Sequence, residues 1–421
     1  MQILELMGAR EKIEAYGFQR KGGGYFSWGK DAWVLDFAPL RYPYSFQVVR
    51  SEFDQLLLEH AKSQGVKVFE GTEVRSLSFD GDRPRGASWS QVVGGSDTGE
   101  LSFDYLVDAS GRAGVMAMRY LKNRHYHNAF QNVAIWGYWT GAGRMDFAPE
   151  GAIANGAIPD GWLWGIPLHD GTMSVGLVQH KTTFKEKRQQ SASLEEIYLN
   201  AINECPLIVD LVRSGKLVTE VKTEQDYSYI ARSLTGPGYH LVGDAGCFID
   251  PLLSTGVHLA MHSAMLCAAS IASTLRGEIT EQQAMAFFEQ SYRQTYLRLM
   301  AIVSGMYSQY DGKDTYFWQA QQLTHHDYDD SNAMMDAWLY VVSGMQDVKE
   351  SGKPGRELEM GGSADAQSIE VSDKALALYN LYDSVFFGTS MSPERASEGL
   401  YVTAKPRLGL TLAENDRAVI T

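Results

Sequence analysis

Cysteine is scarce in this 421-residue chain, and Cys205, Cys247 and Cys267 are too scattered to form a disulfide framework. A reducing, cytoplasmic setting is the expectation. Positive charge is also in short supply: 37 basic residues stand against 51 acidic ones, for a net charge of −14. That balance argues against nucleic acid or an anionic membrane surface as the main partner. No long uncharged apolar run stands out, and the N-terminus lacks the basic, apolar, small-residue order of a signal peptide. With 44% hydrophobic and 21% charged residues, the composition is that of a soluble globular enzyme large enough for two domains. The 22 tyrosines, 17 phenylalanines and 9 tryptophans suit a chain built around a flat ring, although aromatics also fill cores.

Periodicity organises the chain coarsely. Met1 to Tyr16 reads as one helix already in progress, with Ile3, Leu4, Leu6, Met7 and Ile13 at helical spacing and no capping residue before them. Lys21 to Trp28 is a glycine-rich strand or turn, and Trp33 to Phe37 a short apolar piece. A helix follows, capped by Ser51, with Phe53, Leu56, Leu57 and Ala61 on one face and Gly65 as its stop. Strands are expected at Val66 to Phe69, Thr72 to Phe79 and Tyr105 to Ala109. From Asn132 to Gln179 the texture is that of a separate sheet inserted into a nucleotide-binding half. Tyr239 to Val242 reads as a buried strand, Gly256 to Leu275 as a long apolar helix, and the chain then stays helical to about Gln322. Residues 346–374 are polar and glycine-containing, the best candidate for a flexible loop. The expected division is 1–125 (cofactor-binding), 126–225 (substrate-side sheet), 226–280 (cofactor-binding) and 281–421 (mainly helical). The fold class is an α/β, α+β composite.

The densest motif is Gly243-Asp244-Ala245-Gly246-Cys247-Phe248-Ile249-Asp250-Pro251, running on through Leu252, Leu253, Ser254, Thr255, Gly256, Val257 and His258. A buried strand ends in Gly-Asp, crosses a tight turn and opens a helix. Such an Asp can accept hydrogen bonds from the hydroxyls of a sugar-like chain. The free N–H groups and positive dipole end of the helix suit an anion or an electron-rich ring edge. An ordinary strand–turn–helix with Asp244 capping its own turn is the plainer reading. The run resembles the second FAD motif of the flavoprotein hydroxylase superfamily. Phe46 to Asp54, containing Arg50, resembles its arginine-then-helix segment, and Leu106 to Arg112 its strand-and-glycine turn near the adenosine half. Arg50 alone could be a surface charge and Gly111 a plain turn.

Two further segments resemble the flavin-dependent halogenases within that superfamily. Trp162-Leu163-Trp164-Gly165-Ile166-Pro167 matches the family's Trp-x-Trp-x-Ile-Pro signature, and Gly17 to Gly29 resembles the segment bearing its essential lysine, here Lys21. The plainer readings are a sheet edge with two packed aromatics and a solvated lysine. The resemblance covers the chain to about Gln322. It implies an FAD-binding Rossmann-like fold with an inserted sheet. It also implies reduced FAD from a separate flavin reductase, a small aromatic substrate, and chloride or bromide oxidised to hypohalous acid. Arg50, Gly243, Asp244, Pro251 and Gly256 would contact the cofactor, and Thr255 and Gly256 would hold the halide. Trp162, Trp164 and Pro167 would line the flavin side of a tunnel, and Lys21 would receive the hypohalous acid, as a haloamine or by hydrogen bonding. The tryptophan-specific branch places a glutamate just before the serine matched by Ser254. Leu253 stands there, which implies a phenol or pyrrole substrate, free or tethered to a carrier protein.

The family's opening Gly-x-Gly-x-x-Gly is missing. Gly22 to Gly24 is no substitute, because it does not sit between an apolar strand and a helix. The expectation is an N-terminally truncated chain that purifies with little FAD. The alternatives are an aromatic monooxygenase or prenyl reductase of the same fold, and an inactive remnant. His258 and His262 have the spacing of two zinc ligands, but Leu259 replaces the Glu that metalloprotease chemistry would need, so no metal is expected.

Overall fold

A computed structural model describes residues 1–40, 42–190, 193–308, 317–318, 391–393 and 396–413. Its centre is a nine-stranded mixed sheet. In spatial order its main path runs Cys247–Phe248, Lys222–Ala231, Arg124–Thr140, Thr172–His180, Gly161–Pro167, Ile153–Ile158, Gly23–Trp28 and Asp31–Asp36. Pairing is antiparallel except where Ile153–Ile158 runs parallel to Gly23–Trp28. The sheet therefore takes strands from all three segments divided at 125 and 225, and the 125 boundary falls inside the strand Arg124–Thr140.

Both faces of the sheet are covered, which explains its nearly continuous apolar runs. On one face Val133, Ile135, Leu163, Val175 and Leu177 pack under the helices Leu194–Asn203 and Pro206–Val212. On the other, Phe26, Trp28, Trp162 and Val178 join the core formed by the helices Gly256–Leu275 and Glu281–Ser308. Alternation of side chains along a strand puts Trp162 and Leu163 on opposite faces. A smaller three-stranded sheet pairs Leu106–Asp108 in parallel with Tyr239–Leu241, so the turn after Val242 emerges at the end of a buried strand. A separate antiparallel meander is built from Thr72–Asp80, Arg83–Gln91 and Thr98–Ser102.

Several expectations are revised. The opening helix is two, Gln2–Leu6 and Arg10–Tyr16, because Gly8 adopts a φ of +73° and interrupts the hydrogen-bond ladder. Val66 to Phe69 is not a strand. Val66 is 55% and Phe69 71% exposed, and no strand among the described residues pairs with them. Ser51 does not cap the helix Arg50–Ser63, whose cap position is Val49, without a side-chain bond. The helix Gly256–Leu275 carries no Asp, Glu, Lys or Arg over 20 residues, so by length and composition it does reach the size of a membrane span. Leu259, Met265, Leu266 and Ala269 bury it in the core instead. The C-terminal region is not helical throughout, since Leu400–Thr403 and Gly409–Leu412 form a hairpin against Gly256–Leu275. The loop 346–374 lies outside the described residues.

Candidate active site

A cavity of about 740 Å³ lies between the inserted sheet, the start of Gly256–Leu275 and the N-terminal helices. Ligand pockets span roughly 300–1,000 Å³. Lys21, Arg50, Asp244, Pro251, Thr255, Gly256, Trp162 and Trp164 all line it.

Lys21 ends the short strand Gln19–Lys21, paired with Ser45–Gln47, where it stands opposite Ser45. Two glycines then bring other backbones against it. The Gly22 N–H donates to the Glu150 carbonyl at 2.8 Å, and a Cβ on Gly23 would stand 2.0 Å from the Leu35 carbonyl oxygen. This fold-back buries Lys21 to 8% exposure. Its ammonium has no hydrogen-bond or ion-pair partner among the described residues, and desolvation alone pushes its pKa down to about 8. Loss of water without a compensating carboxylate favours the neutral amine.

Trp162 and Trp164 reach the cavity from one face of their strand. Trp164 lies across Gly176, where a Cβ would come 2.0 Å from its ring, and its Nε1–H donates to Ser174 at 3.2 Å. Trp162 is fully buried, and its Nε1–H donates to the Tyr307 hydroxyl at 2.8 Å. That hydroxyl donates in turn to Asp250, 3.1 Å from both carboxylate oxygens. Asp250 also accepts from Asn132 Nδ2 at 3.0 Å and from the Leu252 amide at 2.9 Å. Burial raises its pKa to about 6, against the pull of these donors. Sequence reasoning does not single out Asp250, Tyr307 or Asn132. Asp250 stands inside the Gly243–Gly256 motif as a plain Asp-Pro, and Tyr307 has no signal beyond being one more aromatic on a helix.

Pro167 is placed otherwise than expected. The sheet continues past the two tryptophans and carries it to a separate cavity of about 280 Å³, beside Gly151 and Met173. Gly243 does not line the main cavity either. Its φ of +57° makes the turn behind Asp244, its N–H donates to Ser263, and Ala260 packs against it. Asp244 faces the cavity, its pKa raised by burial and opposed by Arg112, Arg50 and Arg124. Arg50 sits at the rim, exposed and in a two-point ion pair with Asp54.

Ser254 takes a left-handed φ of +55°, Thr255 is the cap position, and Gly256 opens the 20-residue helix. Apart from its chain neighbours and the helix's own backbone, no atom among the described residues lies within 4 Å of the point where a Cβ on Gly256 would stand. The N–H groups of this first turn have no intrahelical acceptor, and Ser254 to Leu259 line the cavity at the positive end of the dipole. His258, within this first turn, stacks on His262 one turn further along, with ring centroids 6.0 Å apart. Burial lowers both pKa values, that of His262 to about 4, so neither ring carries a charge near neutral pH. No cluster of metal-ligating side chains occurs among the described residues. The ring and ribityl half of an FAD suits this site: Asp244 offers a carboxylate for hydroxyls, and the Gly256 turn offers N–H groups for an electron-rich ring edge.

Comparison with known proteins identifies the family. Residues 37–405 match the tryptophan halogenase family. The chain is 45% identical to a tryptophan 2-halogenase of Chondromyces crocatus, over 97% of this chain and 84% of that protein. It is 33% identical to a flavin-dependent halogenase of Acremonium egyptiacum, over 95% of this chain and 76% of the relative. Among solved structures, the myxobacterial chondrochloren halogenase superposes with a TM-score of 0.71 at 30% identity, covering 92% of this chain and 86% of that one. The α/β fold with its inserted sheet is that of the FAD-dependent halogenases, and the chain belongs to the tryptophan halogenase family of flavin-dependent enzymes.

Proposed function

We propose that this enzyme halogenates an electron-rich aromatic ring, a phenol or a pyrrole, with the electrophile made at the Thr255–Gly256 end of the cavity and delivered at Lys21. The observation that carries this reading is a buried lysine, without a partner among the described residues and with a lowered pKa, in the same cavity as a helix N-terminus. FAD, supplied reduced by a separate reductase, provides oxygen activation and with it the oxidising power for chloride or bromide. The chain's own parts divide the remaining work. Asp244 holds the ribityl hydroxyls, and Arg50 and Arg112 lie on the lining where phosphate charge needs balancing. The first-turn N–H groups at Thr255 and Gly256 bind halide. Trp162 and Trp164 wall the cavity and exclude water. Lys21 takes the oxidised halogen on its neutral amine, or hydrogen-bonds the hypohalous acid as an ammonium, and presents it to the ring.

Leu253 favours the phenol or pyrrole. It lines the cavity just before Ser254, and a leucine cannot balance charge or accept a proton from a cationic ring intermediate. A phenol donates its own electron density. The second reading is an indole, favoured by the name of the Chondromyces crocatus relative. One experiment separates them. Enzyme, excess FAD, a flavin reductase and bromide or chloride are supplied with equal concentrations of a phenol, a pyrrole and free tryptophan, and product masses are read. Halogenated phenol or pyrrole in excess supports the proposal, and preferential halogenation of tryptophan overturns it. Lys21→Ala must lose product by orders of magnitude while flavin oxidation continues.

A further inference from the structure

We propose that Tyr307 is a positioning residue: its hydroxyl joins Trp162 to Asp250 and so sets the orientation of the motif tryptophan relative to the halide end of the cavity. This rests on the functional reading above and deepens it.

The geometry is a single chain of hydrogen bonds across the core. Trp162 comes from the inserted sheet, Tyr307 from the far end of Glu281–Ser308, and Asp250 from the turn that leads into Gly256–Leu275. The Tyr307 oxygen accepts from the indole and donates to the carboxylate. Its orientation is polarised from both sides, as in a cooperative network. Asp250 does not hang free at its end. Its Oδ1 accepts from the Leu252 N–H and so fixes the helical turn Pro251–Leu253, which hands the chain on to Ser254, Thr255 and Gly256. A shift of the carboxylate is therefore a shift of that turn.

Packing alone would not select this arrangement. The rings of Trp28, Phe130, Phe317 and Trp318 surround Tyr307 at centroid distances of 6.3, 5.6, 6.0 and 5.8 Å, and they would hold a phenylalanine equally well. What the hydroxyl adds is direction. A buried indole N–H and a buried carboxylate both need partners, and this one oxygen serves both. A Trp162 ring free to change rotamer would alter the wall between Lys21 and the helix start, both of which line the same cavity.

The test uses protein labelled with 15N at tryptophan. The indole N–H resonance of Trp162 is identified by its loss in Trp162→Phe. Tyr307→Phe should move it upfield while the other indole signals stay. Asp250→Asn should move it less, in the same direction, and should add nothing in the Tyr307→Phe background. The second readout is product formed per oxygen consumed, with excess FAD and the phenol substrate. Tyr307→Phe should lower this ratio roughly five-fold, with KM for the phenol changed less than about two-fold, as expected for lost alignment without lost binding. An unmoved resonance in both variants, or an unchanged ratio in Tyr307→Phe, overturns the inference. Should Tyr307→Phe not fold, Asp250→Asn alone decides it by the same two readings. Absence of halogenated phenol from the unaltered enzyme would instead overturn the functional reading, and the resonance would still report on the relay.

Discussion

Gly151 lies so close to Arg20 that a Cβ would stand 1.8 Å from the Arg20 carbonyl oxygen, and its φ of +61° is one that side chains disfavour. Together with the bond from Gly22 to the neighbouring Glu150, this contact clamps the backbone on both sides of Lys21. Gly151→Ala should therefore move Lys21 without touching it. We expect a stability loss of about 2–4 kcal/mol, combining backbone strain with a steric clash. The product yield should fall while flavin oxidation persists. Thermal melting and product per oxygen consumed check both.

Lys21 lowers the stability of the fold it serves. Its pKa is lowered from 10.5 to about 8, so the native state disfavours the ammonium. For a cation with a lowered pKa, the destabilisation is complete below about pH 8 and fades as pH rises towards the unfolded value. The cost at pH 7 is about 3 kcal/mol. Lys21→Met should accordingly raise the melting temperature at pH 7 and raise it less at pH 9.5, while abolishing product. A lower melting temperature at pH 7 would contradict this.

The same shift predicts chemical reactivity. Competitive acylation of the resting enzyme, read by peptide mass, should label Lys21 with a half-maximal rate near pH 8. Exposed lysines should follow at roughly two units higher, near their ordinary value of about 10.4. Lys21 titrating with the exposed set would remove the argument for a nucleophilic amine.

Gly256 tests the halide end. Its Cβ position is empty, so Gly256→Ala introduces no clash. In a helix the change should leave stability unaltered or raise it by up to about 1 kcal/mol. The methyl projects where the first-turn N–H groups face the cavity. The bromide concentration giving half-maximal product should rise, by roughly five-fold or more, with KM for the aromatic unchanged. An unchanged bromide requirement would place the halide elsewhere.

Much of the site is legible in the linear order of residues. The run Gly243 to Gly256 announces a strand, a turn and a helix, since Gly-Asp at a strand end and an uncharged stretch after Gly256 each have one natural geometry. The spacing of Trp162 and Trp164 by two residues places both rings on one face of a strand. Local expectations fail where short-range signals lack tertiary support. Val66 to Phe69 reads as a strand, but a strand forms only where another can pair with it. Ser51 reads as a cap, yet Val49 takes that position. Pro167 shares a motif with the tryptophans but not their cavity.

The residue order alone sets the chemistry on offer: a lysine among glycines, an Asp at a turn, and a helix opening on Gly256. It leaves their surroundings open. That Lys21 has lost its water, that Tyr307 reaches Asp250 across a gap of 57 residues, and that Gly151 presses on Arg20 from far along the chain are consequences of packing. Burial and hydrogen-bond partnership depend on which segments meet. Residues distant in sequence carry no local periodicity that reports on one another, so only the folded chain decides which of them share a site.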